Sequence, residues 1–170
     1  MKKRVFLLGL VLVMFVSVFT SCKKYEDGPL LSLKSKNARL TGEWELVSYS
    51  YVRIYDTETT TTSYDGTTMT TPNSSYLYSH TLVINSDGTY TYKETIDGDS
   101  DEYTAYWSWF DGAKGKQQIM LYDEDLFAIK KLTNKELILE SNYSWIDYGD
   151  SENAAIDSAS YSHTWTYQKK

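Results

Sequence analysis

From about residue 40 onward, short runs of the chain alternate large apolar or aromatic residues with polar ones, and clusters of Asp, Gly, Asn and Ser separate the runs. A period of two built from Tyr, Trp, Thr, Val and Ile is typical of β-strands with one buried face, and the separating clusters are typical of turns. In the fourth run, for example, Tyr103, Ala105, Trp107 and Trp109 share one predicted face. The pattern predicts eight strands, at residues 42–55, 79–85, 88–96, 102–110, 117–122, 126–132, 136–145 and 161–168.

Most of the connections between these strands are short, which favours antiparallel pairing of consecutive strands. Eight antiparallel strands can close into a barrel, and closure removes both edges of the sheet. We expect the last strand to pair with the first. The sequence therefore predicts an all-β domain, an eight-stranded antiparallel up-and-down barrel.

Two longer segments interrupt the pattern. Residues 56–75 are dominated by Thr and Ser without alternating large apolar residues. We expect a long mobile loop there, either disordered or a lid over the open end of the barrel, with a hairpin turn at Asp65-Gly66. In residues 147–160 we expect a loop with one or two helical turns between residues 152 and 159. Within it, Asp157-Ser158-Ala159 resembles a short motif that some Gram-negative bacteria O-glycosylate.

The N-terminus has the pattern of a secretory signal peptide. Lys2, Lys3 and Arg4 precede an apolar run over residues 5–19, which is short for a membrane-spanning helix. The segment ends in Thr20-Ser21-Cys22, which resembles the lipobox of bacterial lipoproteins. In that family the Cys is lipidated on sulfur and becomes the first residue after cleavage. The resemblance implies a lipid anchor on Cys22, with acyl chains such as palmitate that together bind a bilayer stably. The alternative is an uncleaved anchor helix with an incidental Cys.

These features divide the chain into a signal peptide at residues 1–21, a lipidated linker at 22–39 and a barrel domain at 40–170. The linker is polar and basic and contains Gly28-Pro29. It is either solvated or rests on lipid headgroups. Lys23 follows Cys22, in place of the Asp that retains many lipoproteins at the inner membrane. The resemblance thus implies an outer-membrane location, at the periplasmic face or the cell surface.

The opening of the first strand, Gly42-Glu43-Trp44, resembles the Gly-x-Trp motif of the lipocalin and fatty-acid-binding families. In those families the Trp closes the base of the barrel, so the resemblance implies this role for Trp44. Residues 129–139 are similar to the late hairpin of short lipocalin-like domains in bacterial lipoproteins. The resemblance covers most of residues 40–170 and implies a lipocalin-like barrel with an internal calyx.

The composition of the 170 residues limits the chemistry. One Cys and two His exclude an intramolecular disulfide and a Cys-based zinc site, and they leave little for a His-rich metal centre. A net charge of −6 disfavours nucleic acid as a partner. No nucleophile motif accompanies His80 or His163. We therefore predict that the protein is not an enzyme and has no catalytic residues, metal site or cofactor.

Sixteen Tyr and five Trp supply the remaining candidate chemistry. If their strand faces point inward, they line a cavity for a small, mostly apolar ligand. The candidate ligand-binding residues are Tyr90, Tyr92, Trp107, Trp109, Tyr143, His163 and Trp165.

The alternative is a barrel filled with side chains that serves as a structural or interaction module for an envelope protein partner. The alternation along the first strand predicts three tyrosines on the outer face, opposite Trp44, where they could form a surface for that partner. These are Tyr49, Tyr51 and Tyr55.

Overall fold

The computed structural model describes residues 34–110, 117–121, 125–147 and 157–170. In this part of the chain one short helix is followed by eleven strands, which confirms the predicted all-β class. The elements are α1, Lys36–Leu40; β1, Gly42–Tyr55; β2, Glu58–Tyr64; β3, Thr68–Thr70; β4, Ser75–Ile84; β5, Thr89–Ile96; β6, Asp99–Tyr106; β7, Ser108–Trp109; β8, Gln118–Leu121; β9, Asp125–Leu132; β10, Glu136–Asp147; and β11, Asp157–Lys169.

The strands form one antiparallel sheet in the order β6-β5-β4-β3-β2-β1-β11-β10-β9-β8-β7, and β1 also pairs directly with β4. β6 and β7 are one run of chain interrupted at Trp107, whose backbone N–H donates to Gly88 O at 2.8 Å. This run pairs with β5 along β6 and with β8 along β7. The result is a closed antiparallel barrel core with extra strands. We call the end at Gly42 and Ile84 the base, and the end at Tyr55 and Ile96 the mouth.

Each of the eight predicted strands coincides with strands of the structure, but the prediction of a long loop over residues 56–75 was wrong. β2 and β3 lie in this segment and fill the space between the upper parts of β1 and β4. The Thr-rich backbone is extended because β-branched residues favour that conformation and the long β1 offers a pairing edge, from Tyr49↔Tyr64 to Tyr55↔Glu58. The strand count is therefore higher than predicted.

The predicted turn at Asp65-Gly66 is confirmed. Asp65 Oδ1 accepts hydrogen bonds from the backbone N–H groups of Thr67 and Thr68, at 3.0 and 2.9 Å. Gly66 has φ 101°, in the left-handed region that favours glycine. Local turn chemistry therefore determines where the β2–β3 hairpin reverses.

The segment between β10 and β11 differs in part from its prediction. Residues 148–156 lie outside the described residues. Residues 157–160 belong to β11 and pair with β10, so the predicted helical turn is wrong at this end. Ser158, the candidate for O-glycosylation, is exposed on this strand.

Residues 1–33 also lie outside the described residues. The predictions of the signal peptide, of lipidation at Cys22 and of most of the linker fall in this segment. Across the predicted boundary between linker and barrel, the chain forms α1, which Ser35 caps by accepting a hydrogen bond from the Ala38 N–H at 3.1 Å. Arg39 and Leu40 are buried, and Arg39 Nη1 donates to Leu132 O at 3.2 Å. Helix α1 is thus packed against the base of the barrel. Within the described residues, no helix combines the length and apolar character needed to cross a membrane.

A β-bulge at Val47 changes which side chains of β1 face the interior. The register with β11 runs from Leu46↔Tyr167 to Ser48↔Thr166, so Val47 is an extra residue. Below the bulge, Trp44 and Leu46 face inward. Above it, Tyr49 and Tyr51 face inward as well, and the prediction that they lie on the outer face was wrong. By the same alternation, Tyr55 also lies on the inward face of β1 above the bulge.

The packed core occupies the base of the barrel. Its fully buried residues come from α1 and from strands on all sides of the interior. The largest of them are Trp44, Tyr90, Tyr167, Leu40, Leu82, Ile84, Ile119, Leu121, Leu132, Leu137 and Leu139. Burial of this apolar surface supplies the main driving force for folding and closes the barrel at this end.

Candidate ligand-binding cavity

Above the core, the interior opens into a cavity of about 1370 Å³. Side chains from both halves of the sheet line it, including tyrosines of β1, β4 and β5 and residues of β8, β9, β10 and β11. The barrel is thus filled at its base and hollow towards its mouth.

One side of the cavity is a continuous set of rings from three neighbouring strands, which we call the aromatic wall. Its members are Tyr49, Tyr51, Tyr143, His163 and Trp165, which line the cavity, and Tyr161, which stacks on Tyr143 beside it. The cross-strand register places Tyr143 against Tyr161, whose ring planes are 11° apart with centroids at 4.4 Å. His163 and Trp165 are stacked within 8° at 5.2 Å. These stacked pairs turn their ring faces towards each other, and together the rings form an aromatic surface that suits a planar or apolar group.

The polar atoms within this wall are largely engaged with one another. Tyr49 Oη lies 3.0 Å from Nδ1 of His163. Burial lowers the pKa of His163, partly offset by the charge of Asp125, so the imidazole is neutral at pH 7. Burial, followed by the neighbouring tyrosines, raises the pKa of Tyr49 to about 12. The wall is therefore uncharged at neutral pH.

The wall formed by β4 and β5 is polar and carries a carboxylate. Glu94 Oε2 accepts a hydrogen bond from Tyr78 Oη at 3.3 Å and another from Tyr92 Oη. Burial raises the pKa of both phenols, so they remain protonated donors at neutral pH. The two donors hold the Glu94 carboxylate in place. Both hydrogen bonds use the same carboxylate oxygen, Oε2.

His80, the cross-strand neighbour of Glu94, is buried. Its Nδ1 is 3.4 Å from Tyr167 Oη, and its ring is 4.5 Å from that of Tyr92. Its Nε2 has no hydrogen-bond partner among the described residues, although buried polar atoms in proteins are usually paired. Burial lowers the pKa of His80 to about 3, so this imidazole is also neutral.

The charged side chains that line the cavity are acidic. They are Glu94, Asp125 and Glu140, and the described lining residues include no Lys or Arg. Glu140 is paired with Lys130 at 3.5 Å. Nearer the mouth, the guanidinium of Arg53 lies over two rings, 5.3 Å from the centroid of Tyr55 and 5.9 Å from that of Tyr161. Within the described part of the chain, no three His, Cys, Asp or Glu residues are grouped as a metal site would require.

The cavity also reaches around one strand edge. The pairing of β10 with β9 ends at Glu140↔Ala128, whereas its pairing with β11 continues to Asp147↔Asp157. Beyond Glu140, successive residues from both faces of β10 line the cavity. Among the described residues no strand pairs with this edge of β10 above Glu140, and we call this unpaired edge the lateral opening.

The seven residues predicted to bind a ligand divide into two groups. Tyr92, Tyr143, His163 and Trp165 line the cavity. The other three lie in or beside the base and are not among the lining residues: Tyr90 is fully buried, Trp107 Nε1 donates to Asn85 O at 2.8 Å, and Trp109 Nε1 donates to Asn37 Oδ1 at 2.9 Å. Strand alternation identified the inward face but not the depth at which the packed core ends.

Among the lining residues that the sequence prediction missed, Tyr49, Tyr51 and Glu94 escaped it for different reasons. The bulge concealed Tyr49 and Tyr51, because nothing in the local sequence marks it. Glu94 could have been found, since it follows Tyr90 and Tyr92 in the alternation and is a carboxylate on a predicted inward face.

Trp44 is completely buried at the base, and its Nε1 donates to Leu40 O at 2.7 Å. Lys169 Nζ lies 4.7 Å from the centroid of the Trp44 ring and donates to Arg39 O and Thr41 O at 2.8 and 2.6 Å. These contacts join α1 to the first and last strands of the barrel.

No family model matches the chain, and no curated protein sequence matches it. Function is therefore inferred from the cavity and from the sequence.

Proposed function

We propose that this protein is a lipid-anchored envelope lipoprotein whose barrel binds a small, mostly apolar ligand in its cavity. The observation that carries the proposal is the open interior above the core, bordered by the aromatic wall. Barrels of this size can be filled by side chains alone, so an open interior is informative. Its volume exceeds the roughly 300–1,000 Å³ of ordinary ligand pockets, so it can accommodate a ligand with several rings.

We further propose a lipocalin-like topology for the barrel. Omitting the β2–β3 hairpin, the pairing order runs β1, β4, β5, β6 with β7, β8, β9, β10, β11 and back to β1. This pairing order supports the proposal of an eight-stranded up-and-down barrel, and the buried Trp44 at its base is consistent with the Gly-x-Trp resemblance. The hairpin is then an insertion beside the mouth.

A direct test is native mass spectrometry of the full chain purified gently from its host membranes. We expect an additional mass from a retained small molecule, and we expect tryptophan fluorescence to respond to at least one member of a fatty-acid, sterol, haem and sugar panel. Trp165 lies in the aromatic wall, so Trp165→Phe is expected to remove the response. Trp107 lies at the base, so Trp107→Phe is expected to retain it. A clean apo mass with no response to the panel would refute ligand binding.

The anchor has a separate test, because it depends on Cys22 and not on the cavity. Cys22→Ser is expected to abolish labelling with an alkyne analogue of palmitate and to release the protein from the outer membrane. Lipid chains, and not the barrel, are proposed to provide the membrane contact. If membranes retain the variant unchanged, the lipobox interpretation is wrong.

A second candidate function is docking to an envelope protein partner. It is favoured by the exposure of two aromatic side chains of β10 near the lateral opening, Tyr143 at 54% and Trp145 at 40%. Exposed aromatic residues are frequent anchors of protein interfaces. Photo-crosslinking from position 145 in intact cells tests this candidate, since a partner would give a discrete crosslinked product.

A further inference from the structure

We propose that the ligand is an organic cation: a molecule with a planar or apolar body and a positively charged nitrogen, which the cavity binds in preference to neutral or anionic molecules of the same shape. This inference rests on the proposed function, because it specifies the chemistry of a ligand in the same cavity. A preference for cations distinguishes this cavity from a binding site for fatty-acid carboxylates, which needs a positively charged side chain or several hydrogen-bond donors.

The first argument is the sign of the charges around the cavity. Glu94, Asp125 and Glu140 line it, no Lys or Arg is found among the described lining residues, and only Glu140 has a described ion pair, with Lys130. Both imidazoles that line the cavity are neutral at pH 7 because burial lowers their pKa. Charges interact more strongly in a partly buried site than in water, so the interior attracts cations and repels anions.

The second argument is the way in which Glu94 is held. Two tyrosine hydroxyls donate to one of its oxygens, which fixes the carboxylate without neutralising its charge. A Lys or Arg partner would cancel that charge, whereas neutral phenol donors leave it available to a ligand. The arrangement is thus a positioned negative charge inside the cavity.

The third argument is a cation–ring contact beside the cavity, near the mouth, made by the exposed side chain of Arg53. Arg53 follows Tyr49 and Tyr51 in the alternation of β1, and its guanidinium covers the rings of Tyr55 and Tyr161. Ring faces attract cations through their quadrupole. Deeper in the cavity, Tyr143, Tyr51 and Trp165 are lining residues and provide further aromatic rings near a cationic group of the ligand.

His80 adds an independent observation. It is buried against the same cavity, and its Nε2 has no described partner. If Nδ1–H donates to Tyr167 Oη, then Nε2 is an acceptor for an N–H of the ligand, beside the Glu94 carboxylate. In the opposite tautomer, Nε2–H donates to a polar atom on the ligand body. Either way, the site provides a polar contact in the cavity.

Acidic residues also lie at the mouth, on the path of an entering ligand. Asp99 and Asp101 alternate with Tyr103, a lining residue of β6, so they share its inward face. Asp101 is the cross-strand neighbour of Glu94. Such a line of like charges raises the local concentration of cations and their association rate.

The test uses three probes that share one fluorescent ring system and differ in charge: anthracenylmethylamine, anthracenylmethanol and anthracenecarboxylate. They are titrated against the full chain held in nanodiscs of zwitterionic phosphatidylcholine, with empty nanodiscs as the blank. We expect the amine to bind about tenfold more tightly than the alcohol, and the carboxylate to bind more weakly than the alcohol. Added salt should weaken binding of the amine and leave binding of the alcohol unchanged.

A pair of variants assigns the preference to Glu94. Glu94→Gln removes the partly buried charge and keeps a hydrogen-bond acceptor for the tyrosines, so the amine should lose its advantage over the alcohol. Glu43→Gln removes the same charge from the exposed outer face at the base, and it should retain the advantage. Should Glu94→Gln fail to fold, Asp125→Asn serves as the second cavity variant and is expected to reduce the same ratio.

The outcomes separate this inference from the proposed function. Binding of all three probes with equal affinity, or tightest binding of the carboxylate, would overturn the cation preference and leave the ligand-binding function in place. Absence of binding by all three probes, together with a clean apo mass, would overturn both. The ranking on the unaltered protein decides between these outcomes even without the variants.

Discussion

His80 provides the sharpest test of the described interior. Its imidazole is buried between Tyr92 and Tyr167, and burial lowers its pKa from 6.5 to about 3. In the unfolded chain the same group titrates near 6.5. The unfolded state therefore binds one more proton than the folded state between these values, so acid favours unfolding. The stability that neutral His80 contributes is fully present above pH 6.5 and is lost as the pH falls towards 3.

The size of the effect follows from proton linkage. Each pH unit in this window removes about 1.4 kcal/mol from the free energy of unfolding. Between pH 6.5 and about pH 4.5, still above the folded pKa, the expected loss from His80 alone is about 2–3 kcal/mol. Small domains are stable by only about 5–15 kcal/mol, so such a loss is easily measured.

The assay is urea unfolding followed by tryptophan fluorescence, at a series of pH values between 7 and about 4. His80→Phe keeps an aromatic ring at this position and cannot be protonated. Acid also lowers the free energy of unfolding by protonating exposed carboxylates such as Asp65 and Asp87, whose pKa is lowered by hydrogen bonds in their turns. The wild type and His80→Phe share these carboxylates, so their contribution cancels in the comparison. The difference in slope between the wild type and His80→Phe therefore isolates His80. His163→Phe is the control, and we expect a smaller change because His163 is less buried.

A parallel loss of stability in the wild type and in His80→Phe would refute the argument. It would mean that His80 is protonated or hydrated in the folded state. The group that could keep it protonated is Glu94, its cross-strand neighbour. In that case the double variant His80→Phe with Glu94→Gln would be more stable than Glu94→Gln alone at neutral pH.

Three further predictions concern the tyrosines, the base and the surface. Burial raises the pKa of Tyr49 to about 12, so stability should fall as the pH rises from 10 to 12, and Tyr49→Phe should flatten this loss in alkaline urea titrations. Trp44→Phe removes the 2.7 Å hydrogen bond to Leu40 O and leaves a void, and it should cost about 2–4 kcal/mol in urea unfolding. Lys170→Met breaks an exposed 3.1 Å ion pair with Glu43, and we expect a change in unfolding free energy below about 1 kcal/mol at any salt concentration.

The strands of the barrel were predictable because each has one buried and one exposed face, which imposes a period of two on the sequence. The β2–β3 hairpin has no such period. Its Thr side chains are mostly exposed, and β1 alone supplies most of its pairing partners. The period of two arises from burial of one face of a strand and not from backbone pairing. A polar hairpin that pairs with a long neighbouring strand therefore lacks the period of two.

The site was predictable only in part, because inward orientation and depth are different properties. Tyr90 and Tyr92 are two residues apart on one face of β5, yet Tyr90 is fully buried in the core and Tyr92 lines the cavity. Which level of the barrel is filled depends on residues that other strands contribute to the same layer. Tyr90 packs in a layer with Ile84 of β4 and Ala105 of β6, its partners in the register.

The boundary between these levels on β1 is the bulge at Val47, and the chemistry of the cavity depends on it. Without the extra residue, the alternation that places Trp44 and Leu46 inside would continue with Ser48 and Ser50, and the tyrosines would face outward. The inner face above the core would then lack Tyr49 and Tyr51, which contact His163 and Trp165 across the strand pair. A single inserted residue thus converts a row of small polar side chains into one edge of the aromatic wall. The same shift places Arg53 over the rings near the mouth, so this contact between a cation and aromatic rings also follows from the bulge.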